Sequence, residues 1–221
     1  MSRASLTGHY LSAPAVATPA AATIVTIFAP DALDTTDGTI VSNILVAGAV
    51  GFLHRILGND LRMEAYSDAG LFTPAIYTHV GIVGGGRIFC YGRWSGANMD
   101  TGVGGPSSIT PGTATFASGA IGTGTPADTL TLWTRLTGAR DLQGSDMQFG
   151  MWDSALSDAQ LDAGAASMDL RTMPAPTYLH PLPRVRAGVA ITSTAHMRDA
   201  ANPARVWTPT GTGTDLTGAA L

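Results

Sequence analysis

Around one stretch of the chain stand Tyr91, Trp94, Asn98 and Asp100. Aromatic faces beside an amide and a carboxylate are what a sugar needs, because its ring stacks on the first and its hydroxyls are oriented by the second. Trp94 lies between Arg93 and Ser95 in a polar stretch, which suits exposure equally with an anchor fastening the loop onto the body of the protein. A second group, Asp31, Asp34 and Asp37 in Asp-Ala-Leu-Asp-Thr-Thr-Asp-Gly38, offers three carboxylates at three-residue spacing. Oxygen ligands so placed suit calcium, although the closing bidentate Glu of an EF-hand is missing. The same residues also suit a solvated turn between strands.

Catalytic constellations are missing from the sequence. Glu64, the one glutamate, sits in Arg62-Met63-Glu64-Ala65-Tyr66 with no carboxyl group two residues to either side. A retaining glycosidase needs two carboxyl groups about 5 Å apart, and a strand presents i and i+2 on one face. Glu64 therefore reads as an exposed strand residue. No Gly-x-Ser-x-Gly elbow occurs. Cys90, the single cysteine, alternates with Ile88 between Phe89 and Tyr91 and reads as a buried, inert thiol. The five histidines stand singly, without metal-ligand spacing. The sequence predicts a protein that is not an enzyme, with no cofactor except calcium.

The elements that must position these groups are strands. Among the 221 residues, all twelve basic side chains are Arg, and fifteen of the sixteen acids are Asp. Few Glu and no Lys, with abundant Thr, Val and 27 Gly, make a chain poor in helix formers and rich in strand and turn residues. Thr23–Phe28 is mostly β-branched. Phe52–Leu57 and Leu61–Tyr66 flank the turn Gly58-Asn59-Asp60. In the second arm Leu61, Met63 and Ala65 share one face while Arg62, Glu64 and Tyr66 share the other, the period of a half-buried strand. Ile76–Val83 and Arg87–Tyr91 flank three glycines, and 130–136 and 147–152 alternate again. Residues 95–126 are Gly/Ser/Thr/Pro-rich, with a weak strand at 113–116. Ser157-Asp-Ala-Gln160 fits a capping box opening a helix from Asp158 to about Ala166. Eight to ten strands with almost no helix predict an all-β antiparallel sandwich with jelly-roll connections.

The net charge of −4 and scattered Arg exclude a phosphate-backbone binder, so no nucleic acid is expected. The longest apolar run, Ile44–Leu53, is half of what roughly 20 residues need to cross a bilayer. Prolines at 14 and 19 interrupt the small apolar N-terminal stretch, so neither leader nor membrane segment is expected.

The order of segments resembles the concanavalin A-like lectin/glucanase superfamily in its laminin-G-like, pentraxin-like branch. The motifs are His9-Tyr10-Leu11-Ser12, Thr23 to Pro30, Ile40-Val41-Ser42, and Gly51-Phe52-Leu53 through Leu61. Tyr77-Thr78-His79-Val80 then leads through the glycines to Ile88-Phe89-Cys90-Tyr91-Gly92, and Phe149 to Ser157 precedes the capped helix. Tyr77 stands where the family usually has Trp, and Gly92-Arg93 replaces the usual Asn-Gly. The resemblance implies a concanavalin A-like jelly roll over about residues 6–168, and calcium held by loop oxygens in many members. The glucanases of that superfamily carry E-x-D-x-E on one strand, which this chain lacks.

Residues 1–168 are therefore expected to form the sandwich and 169–221 a Pro-rich arm. Six prolines deny the arm a central strand or long helix. Its apolar and basic residues, among them Tyr178, Leu182, Arg184, Arg186 and Trp207, suit docking against its own sandwich or an acidic protein surface. A Lys-free, stand-alone domain of this branch with such an extension resembles bacteriophage virion proteins. That resemblance implies a capsid decoration or accessory protein at the particle surface, with other virion proteins or its own copies as partners. The alternative is a glycan-binding module of a phage tail or secreted bacterial protein, directed at a cell surface.

Overall fold

A computed structural model of the protein describes residues 3–4, 10–30, 38–43, 50–58, 60–67, 70–71, 75–78, 86–96, 98–105, 108–115, 124, 129–132, 144–180, 201 and 206–210. The first strands are β1 (Arg3–Ala4), β2 (Tyr10–Ala13), β3 (Ala21–Pro30), β4 (Gly38–Ser42), β5 (Gly51–Leu57) and β6 (Asp60–Ser67). Next come β7 (Gly70–Leu71), β8 (Ala75–Thr78), β9 (Ile88–Ser95), β10 (Asn98–Gly105), β11 (Ser108–Thr115), β12 (Leu130–Leu132) and β13 (Gly144–Trp152). Helix α1 (Asp158–Ser167), a 3-10 turn at Leu170–Thr172, β14 (Tyr178–His180) and β15 (Thr208–Thr210) follow.

The strands form two antiparallel sheets. One runs β1-β13-β3-β9-β10-β11, with β14 sharing the free edge of β13 with β1. The other runs β15-β2-β12-β4-β5-β6-β7, with β8 also on β6. The architecture is the antiparallel sandwich that the alternation predicts.

In the first sheet period two divides β3 and β9 between two apolar layers. On β3, Ala22, Ile24 and Phe28 enter the core between the sheets, with Phe52, Ile56, Leu61, Met63 and Ala65 from β5 and β6 opposite. Val25 and Ile27 face outward and meet Phe89, Tyr91 and Trp152 in a second core, roofed by Leu161 and Ala165 of α1. Full burial of each such side chain contributes about 1.5–3 kcal/mol, so the helix is held by packing. Its start follows the sequence: Gln160 N donates to Ser157 Oγ at 3.3 Å and Ser157 N to Gln160 Oε1 at 2.8 Å.

Two expectations need correction. The Gly/Ser/Thr/Pro-rich stretch is not a loop with one weak strand, because β10 and β11 pair through eight residues each, Asn98↔Thr115 to Gly105↔Ser108. The sandwich also does not end at residue 168. β14 pairs with β13 and β15 with β2, one strand in each sheet. Trp207 is fully buried between the sheets, edge-on to Phe149 with ring centroids 5.8 Å apart, and Tyr178 is half-buried against the same core. These large apolar groups find cover on their own sandwich, one of the two dockings expected of the arm, and Trp207, fully buried, is not a surface contact for a partner. Leu182, Arg184 and Arg186 lie outside the described residues.

Candidate ligand-binding site

The hairpin β9–β10 reverses at Gly96, whose φ of +57° is the left-handed value that suits glycine. The register Ser95↔Asn98, Trp94↔Met99, Arg93↔Asp100 then fixes the faces. Trp94 and Met99 turn into the sandwich, while Arg93 and Asp100 stand on the outer face where the roof of α1 begins.

Arg93 ties three segments together. Its Nε donates to Asp100 Oδ1 at 3.0 Å and its Nη2 to Asp100 Oδ2 at 2.5 Å. Nη2 also reaches Asp158 Oδ1 at 2.9 Å, and Nη1 donates to the Leu156 carbonyl at 2.5 Å. The guanidinium lies 5.9 Å from the Tyr91 ring centroid. The Asp100 hydrogen bond holds Arg93 firmly protonated, against the cost of its burial. Burial, followed by the charge of Asp100, pushes the Tyr91 phenol above its ordinary value.

Beside this knot lies an open cleft of about 480 Å³, lined by Arg93, Ser95, Asn98, Asp100, Ala155 and Leu156, and bordered by the buried Trp94 and Met99. Ser95 and Asn98 are exposed. The cleft therefore offers hydroxyl, amide, carboxylate and guanidinium groups next to a small apolar wall.

Of the four residues expected to hold a glycan, Asn98 and Asp100 reach this cleft as polar groups. Trp94 and Tyr91 offer no aromatic platform there. Trp94 is fully buried, its Nε1 donating to the Pro19 carbonyl at 2.9 Å and its ring 5.5 Å from Phe52. Its parity with Cys90 in β9 sends it inward, so the anchor reading is the correct one. Tyr91 is also buried, under α1. Arg93, Ala155 and Leu156 were not singled out by the sequence, although hairpin register about Gly96 pairs Arg93 with Asp100.

Glu64 is not exposed. It is 3% accessible, and Arg55 Nε and Nη2 donate to its Oε1 at 2.8 and 2.5 Å. The same-face carboxylate of Asp60 stands four residues away, about 13 Å along an extended strand. Arg62 at 3.0 Å and Thr78 at 2.9 Å engage it. That spacing does not build the carboxyl pair of a retaining glycosidase. Burial pushes the Cys90 thiol far up, away from nucleophilic use. Asp31, Asp34 and Asp37 lie outside the described residues; among the described residues no three His, Cys, Asp or Glu gather as metal ligands. Among them, too, no helix is long and apolar enough to cross a membrane.

A buried polar chain crosses the sandwich. The Thr101 hydroxyl donates to the Tyr91 carbonyl at 2.7 Å and lies 3.1 Å from His54 Nε2. With the Thr101 proton so committed, Nε2 must carry the histidine proton. Nδ1 is left buried without a partner among the described residues. Burial lowers the His54 pKa to about 3.

No protein-family profile matches the chain, and no curated protein matches it in sequence. Solved structures do match in shape. A native heptameric SAP-like pentraxin from Limulus polyphemus is 16% identical with a TM-score of 0.54, over 77% of this chain and 82% of that one. The CBM40 of a Ruminococcus gnavus IT-sialidase, bound to α2,3 sialyllactose, is 16% identical with a TM-score of 0.50, over 66% of this chain and 82% of that one. These likenesses show a lectin-like β-sandwich, so the resemblance read from the motifs holds for the fold.

Proposed function

We propose that the protein is a non-enzymatic recognition module that binds a glycan in the cleft between the β9–β10 hairpin and the start of α1. The observation that carries this reading is the cleft's mixture of groups: Asn98, Ser95, Asp100 and Arg93 can donate to and accept from hydroxyls, while Ala155 and Leu156 offer an apolar wall. The neighbour that binds sialyllactose supports carbohydrate as the ligand class, on the same kind of sandwich. Nothing in the described carboxylates or the buried thiol supports turnover.

A glycan array on the whole chain, followed by calorimetry, tests the reading. Asn98 is exposed, and Asn98→Ala should weaken binding by about fivefold to tenfold, the worth of one neutral hydrogen bond, with the melting temperature unchanged. An array without hits sinks the proposal. The setting we propose for the module is the surface of a bacteriophage particle, as a decoration or accessory protein, on the sequence resemblance alone. Absence of the chain from purified particles of the phage that encodes it would remove that setting and leave the binding module.

A further inference from the structure

We infer that the cleft takes glycans without negative charge, neutral or amino-bearing, and rejects carboxylated and sulfated ones; this rests on the glycan reading above. A guanidinium has five N–H donors. Four of those on Arg93 are engaged: two by Asp100, one by Asp158 Oδ1 and one by the Leu156 carbonyl. Bidentate recognition of an anion needs two parallel N–H groups from one edge of the fork; Asp100 occupies the Nε/Nη2 edge, and Asp158 holds the Nη2 side of the other. One Nη1 proton remains for a ligand.

Charge points the same way. One guanidinium faces two carboxylates, Asp100 and Asp158, so the described groups of the knot sum to −1. The Asp158 side chain is 75% exposed, and Asp162, one helical turn further, is exposed too. The other electropositive feature nearby, the start of α1, is already served by the Ser157 hydroxyl and the Asp158 carboxylate. A sugar hydroxyl can donate to a carboxylate and accept from the free Nη1 proton. A ligand carboxylate or sulfate can only accept, where acceptors already predominate.

The test is calorimetry on the full chain with the best uncharged hit from the array and its sialylated counterpart. The uncharged ligand is expected to bind about tenfold more tightly or better. Asp158→Asn, which leaves the Ser157 cap in place, should narrow that gap by about threefold at low salt; Asp162→Asn should narrow it less. Equal or tighter binding of the sialylated ligand, still weakened in Asn98→Ala, overturns this inference and leaves the glycan reading standing. An unchanged gap in Asp158→Asn also overturns it. No binding by any glycan class overturns both.

Discussion

His54 sets an acid limit on stability whose size follows from its surroundings. It points between the sheets with Phe52 and Ile56 of the same strand, and Nε2 faces the Thr101 hydroxyl as its one polar partner among the described residues. A second proton would go to Nδ1, which has no acceptor and no solvent to stabilise the charge. The folded pKa is accordingly about 3, against 6.5 for a free imidazole. The unfolded chain takes up that proton below pH 6.5 while the folded chain does not. Stability from this group is complete above pH 6.5 and falls by about 1.4 kcal/mol per pH unit down to pH 3. The integrated upper bound is about 5 kcal/mol, against a typical total of 5–15 kcal/mol.

Urea unfolding between pH 8 and pH 4.5, on the wild type and on His54→Gln, measures the effect. Gln keeps a donor toward Thr101 and cannot titrate. At pH 5 the wild type should have lost about 2 kcal/mol more than the variant, relative to each protein at pH 8, or roughly 4–8 °C in melting temperature for a chain of this length. Carboxylates contribute equally to both proteins and cancel in the difference. Parallel pH profiles, or an NMR titration of His54 near pH 6.5 in the folded protein, would refute the reasoning.

Other perturbations test the packing. Trp207→Ala empties the core opposite Phe149 and should cost about 3–5 kcal/mol in denaturant unfolding; a loss below 1 kcal/mol would mean the tail is not built into the sandwich. Gly92→Ala places a Cβ 2.6 Å from Met63 Sδ and 3.3 Å from Ile24; about 1–3 kcal/mol of overpacking should appear in the same assay. Glu64→Gln should destabilise by about 1–3 kcal/mol through its pair with Arg55. It should change no hydrolytic activity toward β-glucans, because none is expected; turnover lost in Glu64→Gln would contradict this.

Much of the fold was legible because alternation is strict where a strand is buried on one side. Leu61, Met63 and Ala65 enter the core as their parity requires, and the capping box opens α1 at Asp158. What escaped was decided by tertiary context. β10 and β11 contain Gly102, Gly104, Gly105, Pro111 and Gly112, poor strand formers, yet β9 supplies a ready edge for β10 to pair with. The prolines of the tail correctly exclude a central strand, and β15, which contains Pro209, lies at the end of its sheet. The tail's apolar groups did not say whose edge they would meet. For Trp94 the polar neighbours left exposure and anchoring both open, although counting in twos from Ile88 and Cys90 sends it inward.

The cleft lies where it does because the helical roof is shorter than the strands beneath it. Along the outer face of β9 the residues run Phe89, Tyr91, Arg93: the first two lie in the core under α1, and the third meets the chain just before the helix starts. A charged end to an otherwise apolar row is what the edge of a roof requires, since α1 supplies no apolar cover there. The bonds to Asp100, Asp158 and the Leu156 carbonyl hold the guanidinium and the Asp100 carboxylate before any ligand arrives, so binding need not freeze those side chains, a cost of about 0.5–1.5 kcal/mol each at an interface. The same bonds leave the guanidinium little to offer an anion. Rigidity and ligand charge preference thus have one cause, and Asp100→Asn, which loosens the knot while removing one negative charge, should lower affinity for the uncharged ligand even as it weakens discrimination against the sialylated one.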